Sequence, residues 1–265
     1  MFRLGWFSTG RGEGSRGLLR LTQDRIASGY LPVEVQFVFC NRAPGEAEGS
    51  DQFHSVAHSL GFPLLTLSSR RFRKQRAAVS FNDVREDYDS EVLRLVEPFK
   101  PDICVLAGYM LYTGPKLFKR FTMINLHPAL PDGPIGTWQE IVWQLIDQRA
   151  TQSGAMVHLA TEAWDRGPVI SYCSFSLSGP DFVPLWEHIK GKSADELKAA
   201  NGEALPLFQR IRQEGVKREA PLLLETIKAF AEGSARVTGP VVVDTKGQPL
   251  APRCLNDRIK EWMAY

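Results

Sequence analysis

Short apolar runs alternate with amphipathic stretches over the first two thirds of the chain, and this alternation predicts its architecture. Strand-like segments open at Arg3 (RLGWFS), Val33 (VEVQFVF), Pro63 (PLLTL), Asp102 (DICVLAG) and Thr122 (TMINL). Between them the apolar period becomes helical, over Ser15 to Ile26, Asp51 to Leu60, Asp83 to Phe99 and Thr137 to Gln148. In the third of these, Val84, Tyr88, Val92, Leu95 and Val96 form one stripe, with Asp83 as the expected N-cap. Strands that alternate with helices imply a mostly parallel sheet covered on both faces. The expected fold class is therefore α/β and Rossmann-like, with helices on both faces of the sheet.

After about Gly179 the texture changes. Helical patterns follow one another over Asp181 to Lys190, Ser193 to Gln213 and Lys217 to Ala231, with no strand between them. The stretch VTGPVVVDTKGQPLAP has alternating apolar residues around Lys246-Gly247, a plausible hairpin turn. A short helix, Leu255 to Ala264, closes the chain. The expected organisation is a catalytic α/β domain over residues 1–179 and a helical and hairpin C-terminal extension over residues 180–265, packed on that domain.

Composition narrows the class. The 265 residues are 43% hydrophobic, enough for a substantial core. A net charge of +2 supplies no general drive toward nucleic acid. The run RRFRKQR, Arg70 to Arg76, is locally basic and reads as a solvated loop or helix face, or else as a steering patch for an anionic ligand. Cys40, Cys104, Cys173 and Cys254 are far apart and form no CxxC pair, so they read as reduced thiols of a cytoplasmic protein. No apolar run approaches the ~18 residues a membrane span requires, and the N-terminal residues show no signal-peptide pattern. His54 and His58 lie one helical turn apart without the acidic partner of a zinc motif, so a helix surface and no metal site are expected.

The candidate chemistry begins in INLHPALP, Ile124 to Pro131. Asn125 and His127 are two residues apart on a strand and project to one side, and Pro128 ends the strand. Both polar groups then sit at the strand's carboxyl edge, where open α/β sheets bind ligands. The residues alone are equally compatible with local backbone satisfaction. A later segment, GAMVHLATEAWDRGPVI, supplies a second strand histidine, His158, and then Asp165 in a turn bounded by Gly and Pro. Near the N-terminus, strand RLGWFS runs into Gly10, Gly12 and Gly14 before a helix, which suits an anion or a tight turn with no ligand. The dinucleotide pattern is absent, because Ser15 stands where the third glycine belongs.

With the glycine loop, LAGYM, INLHPALP and WDRGPVI in this order, the chain resembles the folate-dependent formyltransferases, in particular the phosphoribosylglycinamide formyltransferase type. The resemblance covers about Arg3 to Leu177 and resumes near Glu219 to Gly233. It implies that Asn125, His127 and Asp165 form the catalytic group. It places a folate pocket on Leu106, Gly108, Tyr109, Met110, Leu111 and Tyr112, together with Ala160 and Thr161. It places the acceptor's phosphate on Gly12, Glu13 and Gly14, the acceptor on Glu219, and His158 beside the site. Asn41-Arg42 matches an Asn-Lys pair that follows the second strand in that family.

Three departures stand out. Glu13 brings a carboxylate into a loop that usually reads Gly-Ser-Asn, and it would repel phosphate if it pointed inward. The loop after His127 is shorter, with Gly136 where a further His is expected, and the stretch Asp181 to Gln213 is longer.

The implied function is formyl transfer from 10-formyltetrahydrofolate to a primary amine, glycinamide ribonucleotide in purine synthesis. In that chemistry Asn125 and a protonated His127 donate to the developing oxyanion while Asp165 orients the imidazole. The alternatives are another amine, such as an amino sugar on a nucleotide, or hydrolysis of formyltetrahydrofolate. The related hydrolases carry an extra N-terminal regulatory domain, whereas the first strand here begins at Arg3. A non-catalytic folate- or nucleotide-binding protein is the remaining alternative. The expected partners are small molecules, with no nucleic acid and no membrane, and the expected state is a monomer or homodimer.

Overall fold

The computed structural model describes residues 1–264 and divides into two units that interleave along the chain. The first unit holds Met1–Leu126, His158–Pro168 and Ile227–Leu250. The second holds His127–Val157, Val169–Thr226 and the segment from Ala251.

The chain opens with β1 (Phe2–Ser8), α1 (Glu13–Ala27), β2 (Val33–Cys40), α2 (Glu48–Ser59), β3 (Leu64–Thr66), α3 (Ser69–Gln75), α4 (Arg85–Val96), β4 (Ile103–Leu106), α5 (Pro115–Arg120) and β5 (Met123–His127). These strands lie in the order β3-β2-β1-β4-β5, and each neighbouring pair is parallel. Parallel strands are buried on both faces, which is why their sequences are nearly continuous apolar runs. Phe7, Phe37 and Phe39 of β1 and β2 pack with Tyr88, Val92 and Val96 of α4 and Leu117 of α5.

From β1 the chain steps outward to β2 and β3, then returns to the other side of β1 for β4 and β5. At such a reversal the loops after the two central strands diverge and open a crevice at the carboxyl edge. Thr9 clamps that point: its backbone N donates to Gly108 O at 3.0 Å, and its Oγ1 accepts from Met110 N at 2.8 Å. Gly10, at φ +66°, would bring a Cβ within 2.7 Å of Phe53, and Gly108, at φ +68°, would bring one within 2.9 Å of Ser15 Oγ. Backbone conformation and close approach together require glycine at both.

The second part of the chain supplies α6 (Trp138–Asp147), β6 (Gln152–Leu159), β7 (Val169–Ser176), α7 (Val183–His188), α8 (Ala194–Asn201), α9 (Pro206–Ala231), β8 (Arg236–Thr238), β9 (Val241–Val243), β10 (Arg253–Cys254) and α10 (Asn256–Met263). β10 runs parallel to β7. Leu177 N donates to Thr151 O at 2.8 Å, as expected where β6 and β7 are antiparallel. Around them Ile141, Val142, Leu145 and Ile146 of α6 pack with Leu197 of α8 and with Leu207, Phe208 and Ile211 of α9.

Several element boundaries differ from the expected ones. Asp83 does not cap α4: residues Asn82–Val84 form a 3₁₀ turn, and the Asp83 carboxylate accepts from Ser80 N and Oγ at 2.8 and 3.0 Å. His54 is buried rather than on a helix surface. The stretch Ser193 to Gln213 is two helices. Ser193 opens α8 through a capping box, Gly202 ends it at φ +53°, and Pro206 starts α9. No break follows Gln213, because α9 runs 26 residues through Gly215 and Pro221. An internal proline costs about 3 kcal/mol. Burying each of Leu222, Leu223, Leu224 and Ile227, all fully buried, returns about 1.5–3 kcal/mol, so packing outweighs the proline.

The β8–β9 hairpin turns at Gly239-Pro240, and the chain folds back again at the expected Lys246-Gly247 turn, where Val243 bridges antiparallel to Pro249 and Leu250 N donates to Val242 O at 2.8 Å. Gly239 takes φ +60° in the first turn, and Asp244 N to Gln248 O at 2.9 Å closes the second. No helix of the described residues is long and apolar enough to cross a membrane. The cysteines are free, with Cys40, Cys104 and Cys173 buried and Cys254 exposed.

Candidate functional site: an amide, an imidazole and a carboxylate

β5 carries Asn125 and His127 two positions apart, on one side of the strand. Within the first unit, the segment from His158 to Pro168 forms a closed loop beside β5. Leu159 N donates to Pro168 O at 2.9 Å, and Ala160 N donates to Met123 O at 2.8 Å. These bonds bring three polar side chains together. Asn125 Nδ2 lies 3.0 Å from Asp165 Oδ1 and 3.1 Å from His158 Nε2, and His158 Nε2 lies 3.6 Å from Asp165 Oδ1. His158 and Asp165 are both buried.

The hydrogen-bond pattern assigns the donors. His158 Nδ1 lies 2.9 Å from the Leu159 carbonyl, which can only accept, so Nδ1 carries a proton. In the neutral ring Nε2 then accepts from Asn125. Both Asn125 amide hydrogens are thus directed, one to the imidazole and one to the carboxylate. The reverse amide orientation would face oxygen against a carboxylate. Asp165 holds its position in the left-handed region at φ 52°, a conformation that Asp tolerates better than most side chains.

In the second unit, His127 Nε2 lies 3.0 Å from Pro134 O. That carbonyl also only accepts, so Nε2 carries a proton and the ring is oriented by the loop that leaves β5.

The strip after β4 is divided in its use. Leu106 is buried at the strand end, and the Tyr109 ring turns into the core against Phe7 and Phe39, at centroid distances of 5.7 and 6.3 Å. Burial first, then the nearby Asp89, pushes the Tyr109 hydroxyl far above its ordinary pKa. Met110 is 46% exposed, and Leu111, Ala160 and Thr161 are half-buried. Tyr112 donates to Glu162 O at 2.8 Å, lies under the Arg85 guanidinium, 4.4 Å from its centroid, and meets the Trp164 ring at a tilt of 56° with centroids 5.8 Å apart. Trp164 is 63% exposed, leaving an open aromatic ledge in the loop that also holds Asp165. A flat ring or a carboxylate-bearing tail is the chemistry such a ledge fits.

Gly12, Glu13 and Gly14 lie at the start of α1, and Gly12 is its N-cap without a side-chain cap bond. Glu13 is tied back along its own helix, 2.7 Å from Arg16 and 3.2 Å from Arg20. Hydrogen bonding to Arg16 holds its carboxyl below the usual range. Glu219 lies in the second unit, paired with Arg212, whose guanidinium stands 4.7 Å over the Trp138 ring.

The structure therefore joins Asn125, His158 and Asp165. His127 lies farther along β5, and Glu219 is engaged elsewhere by an arginine. Thr9, Arg85, Trp164 and Arg212 carry site geometry that sequence reasoning missed. Thr9 alone had a usable local signal, a hydroxyl between a strand and a glycine.

A parallel sheet with an amide, an imidazole and a carboxylate at a strand's carboxyl edge beside a glycine loop defines a class of α/β group-transfer folds. The chain belongs to the formyl transferase family, whose family model, described as formyl transferase, matches residues 12–176.

Among similar proteins, phosphoribosylglycinamide formyltransferase of Mycobacterium tuberculosis is 32% identical over 181 residues, 67% of this chain and 75% of that protein. The Escherichia coli protein of that name is 29% identical over 163 residues, 60% of this chain and 66% of its own length. The match thus spans just under two thirds of the E. coli relative. Glycinamide ribonucleotide transformylase 1 of Symbiobacterium toebii shares the fold at a TM-score of 0.63 and 22% identity, covering 95% of each chain. A formyltetrahydrofolate deformylase of Pseudomonas syringae also shares it at 0.63 and 20% identity, covering 92% of this chain and 65% of that one.

Proposed function

We propose that the chain transfers a formyl group from 10-formyltetrahydrofolate to a primary amine, with glycinamide ribonucleotide as the acceptor. The observation that carries this reading is the Asn125, His158 and Asp165 cluster at the end of β5, two residues before His127. An amine nitrogen attacks the formyl carbon, the carbonyl oxygen becomes an oxyanion, and the bond to the folate nitrogen breaks as a proton passes from the amine to that nitrogen. Asn125 and a protonated His127 stabilise the oxyanion, the kind of preorganised donation worth about 10²–10³ in rate per donor. Asp165 accepts from Asn125 Nδ2 and so holds the amide for that donation. The folate side is supported by the exposed Met110 and the cluster of Arg85, Tyr112 and Trp164.

Glu13 is less of an obstacle to a phosphorylated acceptor than its sequence position implies, because Arg16 and Arg20 draw its carboxylate along the helix. The free N–H groups at the start of α1 then remain suited to an anion.

The test mixes purified protein with 10-formyltetrahydrofolate and follows release of the deformylated folate. Release that requires glycinamide ribonucleotide supports the reading. Release with a different amine moves the acceptor, release with water alone makes the chain a hydrolase, and no release under any condition overturns the enzymatic reading.

A further inference from the structure

Beyond the formyl-transfer site, the carboxyl edge of β2 carries an unsatisfied concentration of positive charge. Arg42 follows β2 by two residues, and its Nη1 donates to Asn41 O at 3.0 Å and to Ser69 Oγ at 2.9 Å. Arg70 is the next residue after Ser69, whose backbone N donates to Asn41 O at 3.2 Å, so the two arginines follow hydrogen-bonded neighbours. The nearby carboxylate is already used. Glu46 accepts from Ala43 N at 2.6 Å and from Ser68 Oγ at 2.5 Å, and it pairs with Arg71 at 3.7 Å. Neither Arg42 nor Arg70 forms an ion pair among the described residues.

Burial first, and then the charge of Arg70, holds the Arg42 guanidinium below its ordinary pKa, with the Glu46 carboxylate offsetting part of that shift. Beside them Asn41 is completely buried, its Nδ2 directed to Ser69 Oγ at 3.3 Å and its Oδ1 without a hydrogen-bond partner. A half-buried Arg42 side chain, with Arg70 on the adjoining backbone and an unfilled acceptor beside it, is completed by an oxyanion that also carries a hydroxyl.

We propose that Arg42 and Arg70 form an oxyanion site at the end of β2, separate from the glycine loop, which takes a phosphate group or, as a second source of the same chemistry, a carboxylate. The guanidiniums supply paired donors to the anion's oxygens, and Asn41 Oδ1 receives the hydroxyl of a monoprotonated phosphate. The site needs neither folate nor an acceptor amine to be detected, so its failure and the failure of the formyl-transfer reading are distinguishable.

Isothermal titration of the intact chain with inorganic phosphate, and separately with glutarate, tests this. The expected result is a saturable event that weakens by about tenfold or more in Arg70→Gln, the loss of one charge-assisted hydrogen bond. It should stay within about twofold in Arg73→Gln, which removes an equal charge from the same helix. Arg42→Gln should weaken it similarly. Should that variant unfold through loss of its bonds to Asn41 and Ser69, Arg70→Gln decides, because the Arg70 side chain makes no hydrogen bond or ion pair among the described residues. An event at the glycine loop would persist in Arg70→Gln and vanish in Gly12→Asp. A response to phosphate alone assigns a phosphate ligand, and an equal or stronger response to glutarate assigns a carboxylate. The proposal is overturned if neither probe binds saturably, or if Arg70→Gln binds both as wild type does.

Discussion

Substitution at Asp165 separates three physical roles that one residue combines, and each has a measurable size. Asp165→Asn keeps the shape and the tolerance for the left-handed backbone at φ 52°, but replaces a charge-assisted bond to Asn125 with a neutral one. Bonds to charged groups contribute about 1.5–3 kcal/mol and neutral ones about 0.5–1.5, so this variant should lose only about 1–1.5 kcal/mol of stability. Asp165→Ala also leaves a buried Asn125 hydrogen unsatisfied, at about 1–3 kcal/mol, and puts a Cβ residue without side-chain compensation in the left-handed region, at about 1–2 kcal/mol. It should therefore be less stable than wild type by about 2–5 kcal/mol. Asp165→Gly relieves the backbone strain but not the lost bond, so it should be more stable than Asp165→Ala by about 1 kcal/mol, the reverse of the usual order.

Urea unfolding of the four proteins at constant pH measures the series, and folate release with the accepted amine measures turnover. Turnover should fall by about 10²-fold or more in Asp165→Asn, where folding is nearly intact. If Asp165→Ala and Asp165→Gly were equally stable, the strain argument would be wrong. Turnover in Asp165→Asn near the wild-type value would refute the electrostatic role of the carboxylate.

Other perturbations test the remaining structure. Burial pushes the Asp89 carboxyl up to about 6, against a bond from Gly114 N at 2.8 Å that lowers it. Its folded pKa exceeds its unfolded one, so the folded state binds the extra proton and stability falls as the pH rises from about 4 to about 6. The full loss is on the order of 3 kcal/mol, and Asp89→Asn should remove this part of the pH dependence in urea titrations at pH 4 and 8. Gly108→Ala should cost at least about 1 kcal/mol, and adding Ser15→Ala should recover only the part due to the 2.9 Å contact, leaving the cost of φ +68° in the melting curve. Arg212→Gln should release the Glu219 carboxylate and change the KM for the amine by about tenfold or more with little change in kcat if Glu219 meets the acceptor. An unchanged KM would remove Glu219 from the acceptor side.

Much of the site was legible in linear order. Asn125 and His127 share a strand, so their common side follows from the two-residue period, and Asp165 stands out as an acid in a turn bounded by Gly and Pro. His158 was legible as a strand histidine, yet its exchange of bonds with Asn125 and Asp165 was not, because those residues are 33 and 40 positions from Asn125. The sign of Glu13 was readable and its direction was not. Sequence placed a negative charge in the glycine loop, whereas the helix places Arg16 and Arg20 one and two turns along, where they draw that charge back. Tyr109 shows the same limit, since its place in LAGYM suggests a pocket and its ring packs into the core.

By itself the sequence determined what local rules can carry: the alternation of strand and helix, the stripe on α4, the glycines that permit unusual backbone at the edge of β1 and β4, and the residue types of the candidate site. Tertiary structure decided what depends on distant neighbours. It carried α9 through Pro221, because burial of several leucines outweighs one lost backbone bond. It also set the tautomer of His158, the orientation of the Asn125 amide and the placement of Arg70 next to the segment that carries Arg42. Each of these is fixed by groups brought into contact only when the chain folds.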